Sequence, residues 1–208
     1  MRLAMSLRTL SLGVATASFL LAGAASAATA TSPAHTWDMV GVNARLTQKI
    51  DTQHARPGET VEAKLDGSVR TAGIDLPRNT LLYGRVDHVE ASQNGGPAAL
   101  SLYFNQAELQ NGQKIPVKVT VLSAFPAREG AMATYGTGIM GPAPKHVNSK
   151  RRTDQEPGLL SHISMHSAVQ SHNSATFRKN DGDITLRAGT RFQLGIAPRN
   201  QNMTRAGA

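Results

Sequence analysis

Residues 111–121 read NGQKIPVKVTV, a tight-turn dipeptide followed by a regular alternation of apolar and polar side chains. Asn-Gly is the dipeptide that most strongly favours a two-residue turn between antiparallel strands. Side chains in a strand point alternately to its two faces, so the apolar residues after the turn would share one face. The stretch therefore predicts a β-hairpin with one buried face. The apolar residues on that face are Ile115, Val117, Val119 and Val121.

Outside this hairpin the chain contains more short stretches of the same alternation. The predicted strands lie at 42–50, 61–65, 81–89 and 100–104, with two more at 184–186 and 192–196. Gly, Pro, Asn and Asp separate them, and these are the residues that turns favour. Short strands about ten residues apart, without a convincing helix, are typical of small barrels and sandwiches. We therefore predict an all-β fold, a small barrel or sandwich of about 7–9 short strands with a long irregular insertion before the last hairpin.

The regular pattern stops after residue 125. The following stretch is rich in Gly and Pro and poor in apolar residues, and such long stretches inside a domain are usually functional or disordered. Only residues 159–169 offer room for a short helix. A final hairpin is too small to be stable alone, so it should return to the first sheet. We predict a β-domain at 42–125, a flexible basic insertion at 126–180, a closing β-hairpin of the same domain at 181–198 and a disordered tail at 199–208.

The start of the chain has the three parts of a secretion signal. Two Arg residues supply positive charge, residues 10–22 are apolar, and residues 25–27 read ASA, the small-x-small pattern that signal peptidase cleaves. The alternative is a retained membrane anchor, but the apolar run is shorter than the roughly 20 residues that span a bilayer. We predict a signal peptide at 1–27 and an N-terminal linker at 28–41. The mature protein would be periplasmic or secreted.

The composition excludes several classes of protein. The 208 residues include 22 Lys and Arg against 14 Asp and Glu, a formal net charge of +8, and no Cys. The absence of Cys excludes a disulfide framework, a Cys-ligated zinc site and thiol catalysis. Residues 34–127 carry nine basic and nine acidic side chains, so the excess positive charge lies mostly beyond them. A neutral first block argues against a nucleic-acid-binding face on the body of the fold.

Three patterns could carry ligand chemistry, and each has a simpler explanation. Residues 136–141 match G-x-G-x-x-G, but the prolines that follow exclude the helix on which such a loop holds phosphate. His162 and His166 have the spacing of two metal ligands on a helix, but no third ligand accompanies them. Residues 180–183 read NDGD, yet they lack the spacing of a calcium loop. We predict no catalytic residue, no cofactor and no metal site, and hence not an enzyme; whether the two His residues bind metal stays open.

One basic cluster stands out in the insertion. Lys150, Arg151 and Arg152 are consecutive, and Lys145 precedes them. Such a cluster attracts anionic polymers and lipid head groups, and salt screens that attraction. A solvated loop that only aids solubility is the alternative. We predict these four residues as a candidate anion-binding site.

Residues 76–84 read LPRNTLLYG, residues 109–115 read LQNGQKI and residues 184–190 read ITLRAGT. These three segments resemble the TrbI-type proteins, the periplasmic scaffolds of conjugation and type IV secretion machines. The first is similar to the family's L-P-x-G-[ST]-x-L-x-G segment, with Asn79 in the place of Gly. Asn is the residue other than Gly that best tolerates left-handed geometry, so we expect the turn to persist. Residues 109–115 are similar to the family's L-x-D/N-G-x-x-I hairpin, and 184–196 to its closing strand pair. The resemblance implies a small β-barrel with an insertion, which in that family carries helices that help form an outer-membrane pore.

Residues 50–63 read IDTQHARPGETVEA and fit the pattern I-D-x-x-x-A-x-x-G-E-x-V-x-A at every specified position. This segment resembles a group of uncharacterised exported bacterial proteins that carry the pattern near the start. We take this group as the nearer relative, because the TrbI-type proteins have an inner-membrane anchor where this chain has a cleavable signal. The resemblance therefore implies the fold and not secretion activity.

Two functions from different classes follow. The first is a non-catalytic exported envelope protein, a scaffold or assembly component whose small β-barrel joins a protein assembly through a sheet edge or through the insertion. The second is binding of an anionic polymer, nucleic acid or acidic glycan, through the basic insertion. The expected partners are accordingly envelope proteins or an anionic polymer. No transmembrane span is expected after signal removal, and the oligomeric state stays open.

Overall fold

The alternating pattern around the Asn-Gly pair forms two long antiparallel strands, and similar patterns form shorter ones. The computed structural model describes residues 37–71, 73–127, 141–160 and 162–199, without the side chains of 156–159. The predicted signal peptide and most of the predicted linker and tail lie outside these ranges. The strands are β1 (Val40–Leu46), β2 (Ile50–Asp51), β3 (Thr60–Leu65), β4 (Val69–Thr71), β5 (Ile74–Leu76), β6 (Leu81–Glu90), β7 (Ala98–Glu108), β8 (Lys114–Phe125), β9 (Arg152–Leu160), β10 (Ile163–Ala168), β11 (Ala175–Lys179), β12 (Thr185–Leu186) and β13 (Arg191–Pro198).

Six of these strands close into a barrel. Their order is β6-β3-β1-β13-β8-β7 with all neighbours antiparallel, and β6 also pairs with β7, which completes the ring. Closure removes the free edges that an open sheet would expose. The described residues contain no helix, and hence none that could cross a membrane. The predicted all-β class, with a small barrel, is confirmed.

The hairpin predicted at the Asn-Gly pair is present, but its loop is longer than two residues. β7 ends at Glu108 and β8 begins at Lys114. A two-residue type I′ turn needs a positive φ at both central residues, and of this pair only Gly112 has one, at 80°. The Asn111 side chain instead accepts a hydrogen bond from the Gln113 N–H at 3.0 Å.

The described part of the insertion is more regular than the sequence suggests. β9, β10 and β11 form an antiparallel meander that extends the barrel sheet from β7. Residues 159–169, where the sequence allowed a short helix, contain parts of β9 and β10 instead. The buried face of β10 consists of Ile163, Met165 and Ser167. A buried Ser in that row conceals the alternation in the sequence.

The closing segment contributes β13 to the barrel, but its two strands do not form the hairpin predicted at 181–198. β12 pairs with β2, whereas β13 lies between β1 and β8. Alternation predicts that a segment is a strand, but it does not specify the partner. The two strands therefore belong to different sheets and are joined by a turn.

The apolar side chains of the barrel form one main core and a smaller second cluster. The main core contains the largest buried residues of the barrel strands, among them Leu46, Leu65, Leu82, Phe104 and Phe192. The second cluster includes Leu122 of β8, which lies on the opposite face of that strand from Val119 and Val121. The other members of the second cluster are Met39, Val147, Val169 and Ala197, with Trp37 packed against them.

The barrel contains two copies of one motif. Residues 42–52 read VNARLTQKIDT and residues 61–71 read VEAKLDGSVRT; four positions are identical, and Arg/Lys and Ile/Val exchanges occupy two more. A second segment completes each copy in space: residues 184–190, which read ITLRAGT, and residues 74–80, which read IDLPRNT. In the first copy this segment is distant in sequence, because β3 to β11 intervene.

The strand registers of the two copies agree. Leu186 of β12 lies opposite Ile50 of β2, and Leu76 of β5 lies opposite Val69 of β4 at the equivalent positions. The strands that follow pair with β1 and β3 in the same way, because Phe192 lies opposite Ala44 and Leu82 lies opposite Ala63. The barrel therefore has an internal pseudo-twofold repeat.

The turn that ends each copy is built from the same hydrogen bonds. The N–H and hydroxyl of Thr80 both donate to the Pro77 carbonyl, and Thr190 makes the same two bonds to the carbonyl three residues before it. The residue before each Thr has a positive φ, 69° at Asn79 and 84° at Gly189. The expectation that Asn79 supports a left-handed turn is confirmed.

Candidate functional site

The predicted basic cluster lies on an ordered turn of the insertion. Lys145, Lys150, Arg151 and Arg152 are all exposed, and Arg152 begins β9. Asn148 fixes the turn, because its side-chain oxygen accepts from the Lys150 N–H at 2.8 Å and its carbonyl accepts from the Arg151 N–H at 2.9 Å. The cluster therefore presents its charge to solvent from a defined backbone.

The His pair does not lie on a helix. His162 is in a turn with a φ of 60°, and His166 lies in β10 with its Nδ1 2.5 Å from Oδ1 of Asp154 in β9. The i, i+4 spacing brings two side chains together only on a helix. Within the described ranges, no group of three His, Cys, Asp or Glu side chains is arranged to hold a metal ion.

The NDGD segment is a structural turn. The Asp183 carboxylate accepts hydrogen bonds from the Thr52 hydroxyl at 3.0 Å, the Gln53 side-chain amide at 2.7 Å and the Ser92 N–H at 2.9 Å. The bond from Ser92 is the main cause that lowers the pKa of Asp183. This carboxylate therefore connects three loops. Most of the G-x-G-x-x-G match lies outside the described residues.

A cluster that the sequence did not predict surrounds Tyr103 on the outer face of the barrel. The neighbours Leu102 and Phe104 belong to the main core, whereas Tyr103 points to the other face of β7. Its exposed fraction is only 6%, because charged side chains cover it. We call this group the Tyr103 cluster, and its members are Arg85, Asp87, Tyr103, Lys118, His172 and Arg199.

The Tyr103 side chain organises the cationic side chains around it. Arg85 lies opposite Tyr103 in the β6–β7 register, and its Cζ is 4.6 Å from the ring centroid. His172 stacks on the ring, with centroids 4.5 Å apart and planes at 16°. Arg199 donates from Nη1 to the Tyr103 hydroxyl at 2.7 Å. Guanidinium groups that contact an aromatic ring are held in place by its quadrupole, so both Arg side chains are preorganised.

Lys118 is the buried cation of the cluster. Its exposed fraction is 9%, and its Nζ donates to the backbone carbonyls of Ser171 and His172. Burial disfavours the charged ammonium. Burial, and secondly the charge of Arg199, lowers the pKa of Lys118 to about 8.

Asp87 supplies the carboxylate of the cluster. Its Oδ1 lies 3.3 Å from Nη2 of Arg85 and 4.0 Å from Nε2 of His172. Three cationic side chains, Arg85, Lys118 and Arg199, therefore accompany one carboxylate. The cluster has an excess of positive charge even when His172 is neutral.

Sequence reasoning missed this cluster because its members come from five separate segments. In the sequence, Arg85 and Lys118 appear only as residues at the polar positions of amphipathic strands. The alternation in β6, β7 and β8 places them on faces away from the core, but it does not show which strands are neighbours. The closure of the barrel and the turn around His172 bring them together.

Several chains of solved structures match this one. The chain is similar to ComB10 of the Com type IV secretion system of Helicobacter pylori. The two chains are 14% identical with a TM-score of 0.35, over 79% of this chain and 86% of that chain. No family model matches the chain, and no curated protein matches it. At this level of similarity no residue role is transferred.

Proposed function

We propose that the chain is a non-catalytic exported envelope protein that acts as a scaffold or assembly component through its small β-barrel. The observation that supports this most is the position of β9. It is the terminal strand of the nine-stranded sheet, and in the described part of the chain no strand pairs with its outer edge. An open edge offers backbone donors and acceptors to an added strand. The proposed partner is an extended segment of another envelope protein.

The hydrogen-bond pattern identifies which backbone groups of β9 face outward. The Arg151 carbonyl accepts from the Val169 N–H at 3.0 Å, and bonded pairs alternate with non-bonded pairs along an antiparallel ladder. Thr153 therefore bonds to β10, whereas the N–H and C=O groups of Asp154 point to the outer edge. The Asp154 side chain is exposed.

The test is capture of partners from the native envelope with two variants that differ in one N–H group. Asp154→Pro removes the outward N–H, since Pro has no backbone donor. Asp154→Ala is the matched control, because it also loses the His166 contact but keeps the N–H. The tagged protein is cross-linked in its own envelope, and captured material is washed first at low salt and then at high salt.

We expect the wild type and Asp154→Ala to retain a protein partner at high salt and Asp154→Pro to lose it. A monomeric wild type that captures no envelope protein contradicts the assembly role. Equal capture by all three contradicts the use of the β9 edge.

The second candidate function is binding of an anionic polymer through Lys145, Lys150, Arg151 and Arg152. The exposure of all four side chains favours it, together with the turn at Asn148, whose hydrogen bonds fix the backbone of Lys150 and Arg151. Binding to nucleic acid or acidic glycan should then weaken steeply with salt, because counterions are released. Replacement of all four residues by Ser should abolish it, and retained binding contradicts this function.

A further inference from the structure

We propose that the Tyr103 cluster is a binding site for an oxyanion, a carboxylate or phosphate group, which Arg85, Arg199 and Lys118 would hold against the barrel. The site contains none of the four basic residues of the second candidate function and no residue of β9. It does not depend on the proposed assembly role.

The first support is the charge balance. Asp87 is shared between Arg85 and His172, at 3.3 and 4.0 Å. Lys118 donates to the neutral carbonyls of Ser171 and His172 and experiences the positive charge of Arg199. A buried charge is costly unless an opposite charge compensates it. A bound anion supplies that compensation.

The second support is the number of donors left for a ligand. An ammonium has three N–H donors, and the carbonyls of Ser171 and His172 accept two from Lys118. A guanidinium has five, and Arg199 uses one in its bond to the Tyr103 hydroxyl. Guanidinium forks match the geometry of carboxylate and phosphate oxygens. The cluster thus has free donors of the type that recognises oxyanions.

The third support is rigidity. Arg85, Tyr103 and Lys118 lie on strands of the closed barrel. Arg199 follows β13, and its backbone N–H donates to the Pro116 carbonyl at 3.2 Å. The Tyr103 ring contacts both guanidinium groups. Side chains held before the ligand arrives lose less conformational entropy on binding.

The experiment measures binding of inorganic phosphate and of acetate to the mature chain by NMR titration. Arg199→Gln is the main variant, since Arg199 is exposed and lies at the surface of the barrel. Arg70→Gln is the matched control, because Arg70 is an exposed Arg that forms an ion pair with Asp75 at 3.2 Å and is not a member of the cluster. The two ligands distinguish a phosphate site from a carboxylate site.

We expect at least one ligand to bind saturably to the wild type, and Arg199→Gln to weaken its affinity by about tenfold. Arg70→Gln should change the affinity less than about twofold. The lysine side-chain resonances give a second readout: the ligand that binds should raise the pKa of Lys118 above about 8, because an anion favours the ammonium.

Two results overturn the proposal. One is the absence of saturable binding of both ligands to the folded wild type. The other is equal binding by the wild type and Arg199→Gln together with an unchanged Lys118 pKa, since the ligand then contacts neither cation.

Discussion

Single residues in this barrel show how closely backbone geometry selects side chains. Asn79 and Gly189 occupy equivalent turns, with φ of 69° and 84°. A side chain with a Cβ is strained in this region, and Asn is strained less than most. The Asn79 side chain is exposed, so its contribution to stability comes from the backbone and not from packing.

Two substitutions at Asn79 test this conclusion. Asn79→Ala should lower the free energy of unfolding by about 1 kcal/mol, because Ala lacks the tolerance of Asn for left-handed geometry. Asn79→Gly should change it by less than about 0.5 kcal/mol, since relief of strain offsets the greater entropy of the unfolded chain. Urea denaturation measures both values. Equal destabilisation by Ala and Gly would show that the amide side chain contributes instead.

A second residue-scale prediction concerns Thr120 in β8. Its exposed fraction is 1%, and its hydroxyl has no hydrogen-bond partner in the described part of the chain. A buried hydroxyl without a partner carries a desolvation penalty. Thr120→Val should therefore raise the free energy of unfolding by about 1 kcal/mol. A lower value in urea denaturation would show that the hydroxyl is hydrogen-bonded in solution.

At the scale of elements, the junction between β7 and β8 determines how the insertion joins the barrel. The two strands pair only near their connecting loop, at Gln106–Glu108. Ser174 lies between them farther along: its N–H donates to the Leu102 carbonyl at 2.8 Å, and its carbonyl accepts from the Val121 N–H at 2.9 Å. Its hydroxyl accepts from the Phe104 N–H at 3.0 Å. One residue thus connects both strands.

Removal of this hydroxyl should destabilise the fold. Ser174→Ala leaves the buried Phe104 N–H without its partner, so the free energy of unfolding should fall by about 1–3 kcal/mol. Ser164→Ala is the matched control, because the Ser164 hydroxyl makes a long 3.3 Å bond in an exposed part of β10, and we expect a change of less than about 0.5 kcal/mol. Urea denaturation compares both variants. Similar changes in the free energy of unfolding for the two variants would show that the Ser174 hydroxyl contributes no more to stability than the Ser164 hydroxyl.

The strands that the sequence predicted are those with an unbroken apolar row. β8 is the clearest, because Val117, Val119 and Val121 are all buried and the polar residues between them face away. β10 was not predicted from the sequence, because its row of buried residues contains Ser167. The hydroxyl of Ser167 donates to the Val121 carbonyl. A polar residue that bonds to a neighbouring strand cannot be recognised as buried before that neighbour is known.

At the scale of the molecule, the local alternation of apolar and polar residues does not show which strands pair with each other. The repeat between residues 42–52 and 61–71 is visible in the sequence, and it would have indicated that these segments play equivalent roles. The Tyr103 cluster has no comparable signal, because it depends on which strands close the barrel. Only long-range pairing brings Arg85, Lys118 and Arg199 to one side chain.

The buried ammonium of Lys118 should make the stability of the whole chain depend on alkaline pH. Its pKa is about 8 in the folded protein against an ordinary value of 10.5. Between these values the unfolded chain binds a proton that the folded chain has released, so stability rises with pH. The gain has an upper limit of about 1.4 kcal/mol per pH unit. Below pH 8 both states hold the proton, and the contribution of this group is constant.

The comparison of wild type with Lys118→Met isolates this effect, because the other titrating groups are common to both chains. The difference between their free energies of unfolding should be constant from pH 6 to about pH 8. It should then shift in favour of the wild type up to about pH 10.5, the ordinary value for Lys. Urea denaturation is suitable at alkaline pH, since the chain has no Cys that could oxidise. If the difference between the two free energies of unfolding stays constant from pH 6 to about pH 10.5, Lys118 keeps its ordinary pKa in the folded protein. The carbonyls of Ser171 and His172 would then compensate fully for its burial.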